Sequence, residues 1–175
     1  MIRRALAAVL LVIAVAAIYQ FVLGDEKVTP HLVFASPTSV IGTGEDAVGV
    51  TADGAILAGR PVPEGVSLPR LPLSEVPKGG RLSGPMLQQA RVLGGAPPAL
   101  RPYIESSFYG ESGVDVELTS GIELRFGDAS RIDEKWRAAA AVLADPTTTA
   151  LDYVDLHAPR RPATQGSSYS LPPVE

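Results

Sequence analysis

Residues 114–126 read VDVELTSGIELRF, and this stretch decides the fold class. Apolar residues alternate with polar or charged ones over 114–118 and again over 122–126. A two-residue period predicts two strands, each with one apolar face and one polar face. Gly121 lies in the short connection between the two runs, so we predict an antiparallel hairpin.

A helix is predicted upstream of this hairpin. Ser83-Gly84-Pro85 is typical of a helix start, because Ser83 can cap the first turn and proline is tolerated within that turn. Gly94-Gly95 is typical of a helix end. Pro97–Glu105 is predicted to form a second short helix. The proline-rich residues 59–78 are predicted to form an extended loop, because prolines at this spacing interrupt both long helices and central strands.

Another helix is predicted downstream of the hairpin, from Arg131 to about Ala144. Ser130 is expected to cap it. The apolar positions recur with helical spacing and include Trp136, which we expect in the core. Its neighbour Lys135 is expected to face solvent, with a role in packing as the alternative.

The remaining patterns complete an α+β fold. Asp53-Gly54 between two β-prone runs predicts an N-terminal hairpin. Leu151–Leu156 is predicted to be the last strand, and the Ser- and Pro-rich residues 164–175 to be a disordered tail. We therefore expect a mostly antiparallel β-domain with two or three short helices over residues 47–163.

The N-terminus carries an apolar segment, Ala5–Leu23, whose one strongly polar member is Gln20. As a helix it would be about 28 Å long, close to the hydrocarbon thickness of a bilayer. It is therefore predicted to be a transmembrane helix. Residues 1–4 contain two arginines, which places the N-terminus in the cytoplasm and the rest of the chain outside the plasma (inner) membrane. Residues 24–46 would form a stalk.

A cleaved signal peptide is the alternative for this segment. Ala14-Val15-Ala16 resembles a small-x-small cleavage site, although the apolar run continues for seven residues beyond it. Both interpretations export the body of the protein.

Composition excludes several function classes. The chain has no cysteine, which removes disulfides, thiolate metal ligands and thiol catalysis. Without Arg3 and Arg4 it carries 13 basic and 19 acidic residues, so nucleic acid is not an expected partner.

The sequence also lacks a catalytic or metal-binding constellation. His31 and His157 are far apart, and Asp152 and Asp155 are spaced toward opposite faces of a strand. We therefore predict no catalytic, cofactor-binding or metal-binding residues, no small-molecule substrate and no enzyme activity. A membrane-anchored envelope enzyme such as a cell-wall hydrolase, or an unrelated structural envelope protein, remains the alternative.

Five stretches, taken in order, resemble the extracytoplasmic β-domain of the FtsQ/DivIB family of bacterial cell-division proteins. They are PTSVI (37–41), VTADGAI (50–56), SLPRL (67–71), GIELRFG (121–127) followed by Lys135, and YVDLHAP (153–159). The resemblance covers roughly Leu32–Ala163. Two departures are the missing POTRA domain, of which at most one strand could remain in Leu32–Ala35, and His157, where relatives carry arginine.

The resemblance implies a non-catalytic scaffold at the division septum that binds FtsB/FtsL-like single-pass proteins. Binding would add a partner strand to the terminal edge of the sheet, since an edge strand offers unpaired main-chain groups. Pro159 and Pro162 could instead blunt that edge against pairing. The implied partner-binding residues are Tyr153, Val154, Asp155, Leu156, His157, Ala158, Arg160, Arg161 and Ala163.

Overall fold

The computed structural model describes residues 35–63, 65–148 and 150–166. No helix in these ranges is long and apolar enough to cross a membrane. The predicted transmembrane helix at Ala5–Leu23 and most of the predicted stalk lie outside the described residues, as do residues 167–175 of the predicted tail.

The predicted central hairpin is confirmed, and it forms the middle of a five-stranded sheet. Its two strands pair antiparallel, with Val116 opposite Leu124. The strands of the sheet are β3 (Ile104–Gly110), β4 (Gly113–Leu118), β5 (Glu123–Gly127), β6 (Tyr153–Asp155) and β7 (Ala163–Gln165). The spatial order is β3-β4-β5-β6-β7, and every neighbouring pair is antiparallel except β5 and β6, which are parallel.

A smaller antiparallel sheet precedes it, formed by β1 (Ser39–Ile41) and β2 (Val48–Val50). Strand β1 belongs to the folded body although it lies within the segment predicted as a stalk. The predicted turn at Asp53-Gly54 is present, with Gly54 at a φ of 82° that favours glycine. Its second arm is reduced to one bridge, in which Ile56 pairs with Val50.

The two helices are α1 (Gly84–Gly94) and α2 (Ile132–Leu143). Both lie where the sequence predicts them, but their caps differ from the prediction. Ser83 occupies the N-cap of α1 without a side-chain cap bond. Arg131, with a φ of 49°, occupies the N-cap of α2. The expectation for Ser130 is wrong, because its hydroxyl donates to the Asp128 carboxylate at 2.6 Å.

The predicted short helix at Pro97–Glu105 is replaced by a single 3-10 turn, Arg101–Tyr103. Ile104 then begins β3, a strand that the sequence analysis missed. The proline-rich loop is extended as expected, and its Leu71 is fully buried in the core. The Leu71 main-chain N–H donates to the Val40 carbonyl, which holds the loop beside β1.

The helices cover one face of the large sheet, and Trp136 joins the layers as predicted. Its side chain is 1% exposed, and its ring lies 4.7 Å from the ring of Phe126 on β5. The indole Nε1–H donates to the Val92 carbonyl at the end of α1, at 2.8 Å. A buried indole N–H needs such a partner, so this bond fixes α2 against α1.

Lys135 is buried, so the expectation that it faces solvent is wrong and the alternative of a packing role agrees with the structure. Its Nζ donates to the Phe126 carbonyl at 2.7 Å and to the Asp128 carbonyl at 2.8 Å. The third bond, also 2.8 Å, goes to Asp128 Oδ1. All three ammonium hydrogens are therefore used, which makes the burial of this charge tolerable. The bond from Lys135 holds the pKa of Asp128 far below its usual range.

We expect Lys135→Met to lower the free energy of unfolding by about 2–3 kcal/mol, because the buried Phe126 carbonyl and the partly buried Asp128 carbonyl lose their donor. Urea denaturation would measure the change. Arg137→Met on the exposed side of α2 is the matched control, and we expect it to stay within about 0.5 kcal/mol of the wild type. Equal effects of the two substitutions would contradict a structural role for the Lys135 ammonium.

Candidate partner-binding edge

The large sheet ends in β3 on one side and β7 on the other. The expectation that Leu151–Leu156 is the last strand and forms the free edge is therefore wrong. Strand β6 lies between β5 and β7, because the chain turns back after it and Ala163–Gln165 pairs antiparallel to it. Thr164 and Gln165, predicted as part of a disordered tail, belong to this final strand.

Four of the predicted partner-binding residues lie in or directly after β6. Val154 and Leu156 are fully buried under the helices. Tyr153 and Asp155 are half-buried on the opposite face of the sheet. Since β6 is paired on both sides, these four residues cannot offer a guest strand an open main chain.

Four others form the turn between β6 and β7. His157, Ala158, Arg160 and Arg161 are all exposed there. The Arg161 N–H donates to the Ala158 carbonyl at 2.8 Å, which closes the turn. Of the nine predicted residues, Ala163 alone lies on the edge strand itself.

The hydrogen-bonding pattern shows which main-chain groups of β7 face outward. On β5, the Glu123 N–H donates to the Asp152 carbonyl and the Arg125 carbonyl accepts from the Leu156 N–H. Successive residues of a strand alternate, so Tyr153 and Asp155 face β7. Their partners are Gln165 and Ala163.

Thr164, which lies between these two partners, therefore points its N–H and C=O away from the sheet. The sequence analysis missed Thr164 as a site residue. The available signal was a β-branched residue in a short segment bounded by Pro162 and Gly166.

The face of the sheet turned away from the helices, here called the outer face, is rich in charge. Its charged residues on β4 and β5 are three carboxylates, Asp115, Glu117 and Glu123, and a single arginine, Arg125. The Arg125 Nε–H donates to Glu123, and this bond raises the pKa of the guanidinium. The guanidinium carbon also lies 3.8 Å from the centre of the Tyr153 ring, in cation–π contact.

Asp115 on β4 is the least satisfied charge of this face. It is 8% exposed, and its Oδ1 is buried with no hydrogen-bond partner among the described residues. Arg125 lies opposite it across the strand pair but is bonded to Glu123 instead. Burial, followed by the nearby charge of Glu123, raises the pKa of Asp115.

His157 ties the turn before β7 to the rest of the sheet. Its Nδ1 lies 2.8 Å from Asp155 Oδ1, and its Nε2 lies 3.3 Å from the Ser112 carbonyl oxygen in the β3–β4 turn. The ring also packs on Gly127, where a Cβ would come within 2.6 Å of Cδ2. The bond to Asp155 raises the pKa of His157. Burial raises the pKa of Asp155, but the His157 bonds outweigh it and the net direction is downward.

The β7 edge and the outer face beside it present polar main-chain groups and charged side chains. Among residues 35–63, 65–148 and 150–166, no three His, Cys, Asp or Glu side chains are grouped so that they could hold a metal ion. The chemically distinctive features are an open strand edge and a charged face beside it.

Comparison with known proteins supplies one match. The sequence model of a family described as "Cell division protein FtsQ/DivIB, C-terminal" matches residues 40–157, which are 118 of the 175 residues. The matched range includes both helices and the strands from β2 to β6. A search of curated proteins gave no match.

The raised pKa of His157 predicts a pH-dependent contribution to stability. When the folded pKa is raised, the stabilisation is complete below the unfolded pKa and disappears as the pH rises through the folded pKa. Replacing His157 with Gln should therefore destabilise the protein at about pH 5.5 and have little effect at about pH 9.

We expect the free energies of unfolding of wild type and variant to differ by less than about 1 kcal/mol at low pH. The His157 ring is partly exposed, so solvent screens its ion pair with Asp155. Urea denaturation of both proteins across this range would measure it. A difference in the free energy of unfolding that stays constant with pH would contradict a contribution from the charge of His157.

Proposed function

This chain belongs to the FtsQ/DivIB family of bacterial cell-division proteins, and from that premise we propose that it is a non-catalytic scaffold of the division septum. It binds small single-pass division proteins of the FtsB/FtsL type by adding their strand to β7. The observation that carries this proposal is the outward-facing main chain of Thr164 on an edge strand with no neighbour among the described residues.

The edge is short, so main-chain pairing alone binds weakly. Thr164 contributes one donor and one acceptor, and Pro162 has no N–H to add. At roughly 1 kcal/mol net for each hydrogen bond, such pairing would not hold two free proteins together at cellular concentrations. Side-chain contacts beside the edge and a high local concentration of the partner must supply the rest.

Membrane anchoring supplies that local concentration in our proposal. The apolar segment Ala5–Leu23 crosses the plasma membrane once, with residues 1–4 in the cytoplasm and the body outside. Residues 24–38 join this segment to β1 of the folded body. A partner anchored in the same membrane meets the edge at high effective concentration, so modest affinity is sufficient.

The edge can be tested with two substitutions at one position. Thr164→Pro removes the outward N–H and leaves the bonds between β6 and β7 in place, since those use Ala163 and Gln165. Thr164→Val keeps the N–H and the β-branched shape. We expect recovery of co-expressed FtsB/FtsL-like partners from solubilised membranes to fall at least about tenfold with proline and to stay near wild type with valine.

Thermal unfolding of both variants would establish that the fold persists. Equal partner recovery by the two variants would exclude main-chain pairing at Thr164 as the mode of binding.

Localisation tests the septal role separately. We expect a fluorescent protein fused to the cytoplasmic N-terminus to form a band at the division site of growing cells. Replacing residues 5–23 with an unrelated transmembrane helix should preserve the band, because the family domain outside the membrane carries the recruiting surface. Uniform staining of the envelope by the unmodified fusion would contradict a septal scaffold.

A further inference from the structure

One row of side chains crosses the outer face and ends at the proposed binding edge. Cross-strand partners place Asp115 of β4 opposite Arg125 of β5, and Arg125 opposite Asp155 of β6. Asp155 in turn lies opposite Ala163 of β7. From the interior to the edge, the row therefore consists of a carboxylate, a guanidinium, a second carboxylate and the methyl group of Ala163.

Each carboxylate in this row has one oxygen that no donor among the described residues bonds. Both hydrogen bonds that His157 makes with Asp155 fall on Oδ1. No donor among the described residues bonds Asp155 Oδ2, and the side chain is 38% exposed. Arg125 does not supply this donor, because it is bonded to Glu123 and stacked on Tyr153. Asp115 Oδ1, farther along the row, also has no partner among these residues.

Other cations near the edge do not fill this gap. Arg160 lines a separate groove with Glu134 and Arg137 of α2, on the helix side of the sheet. The His157 ring is already turned toward Asp155 Oδ1 and the Ser112 carbonyl.

Ala163 leaves space for a partner side chain to reach Asp155. A guest strand paired with Thr164 places its neighbouring residue opposite Ala163, in the pairing where side chains come closest. That residue projects on the outer face together with Ala163 and Asp155. Two strand spacings of about 4.8 Å separate it from Asp155, a span that the long side chain of lysine or arginine can bridge over a methyl group.

We propose that the partner strand carries a lysine or arginine opposite Ala163, and that this cation pairs with Asp155. The inference rests on the proposed strand addition at β7 and adds the chemistry that selects the partner. A glutamate at the same position would face Asp155 and an outer face that is already acidic, so the pairing also rejects acidic strands.

A defined probe tests this without knowledge of the natural partner. A six-residue β-prone segment is appended to Glu175 of the full chain through a flexible Gly-Ser linker. Three versions carry lysine, glutamine or glutamate at the residue meant to lie opposite Ala163. Hydrogen exchange of the peptide containing Thr164, read by mass spectrometry, reports how often the edge is paired.

We expect about three- to fivefold slower exchange with lysine than with glutamine, and faster exchange with glutamate. Asp155→Asn, which keeps an oxygen acceptor for His157, should abolish the advantage of lysine. Glu117→Gln lies on the same face but two strands farther from the edge, and should leave that advantage unchanged.

Two outcomes would overturn the inference in distinguishable ways. Equal protection by all three segments would show that β7 accepts a strand without selecting its charge, which leaves the proposed function intact. No protection by any segment, compared with the unextended chain, would remove strand addition at β7 and this inference with it.

Discussion

The ammonium of Lys135 is the interaction on which the rest of the sheet depends. It donates hydrogen bonds to the Phe126 carbonyl, the Asp128 carbonyl and Asp128 Oδ1. These bonds fix the end of β5 to the first turn of α2. This junction starts the crossover that returns the chain parallel to β5 as β6. Strand β7 pairs with β6, so the edge of the sheet is built on a strand that this junction precedes in the chain.

The sequence predicts the features that depend on local periodicity. Alternation over 114–118 and 122–126 predicts the central hairpin, and helical spacing predicts the burial of Trp136. Lys135 could not be predicted this way, because the carbonyls that compensate its charge belong to the end of another strand and leave no pattern in the sequence. Strand β3 was missed because its apolar periodicity is weak and a bulge interrupts its register.

The candidate site, like the fold, could be predicted only where local sequence carries the information. The resemblance to the FtsQ/DivIB family directs attention to Tyr153–Pro159, which lies immediately before the edge strand β7. It does not identify the strand, because the pairing of Ala163–Gln165 depends on how the turn at Ala158 and Arg161 closes. The three residues of β7 follow Pro162 and are too few to show a strand period, so sequence alone cannot distinguish them from a loop.

Strand β7 follows the other four strands of the large sheet along the chain. A nascent or truncated chain that ends before Ala163 would present β6 as its outermost strand, with a different side-chain row and without Thr164. Strand addition at this edge, as we propose it, therefore requires a chain that has been translated through Gln165.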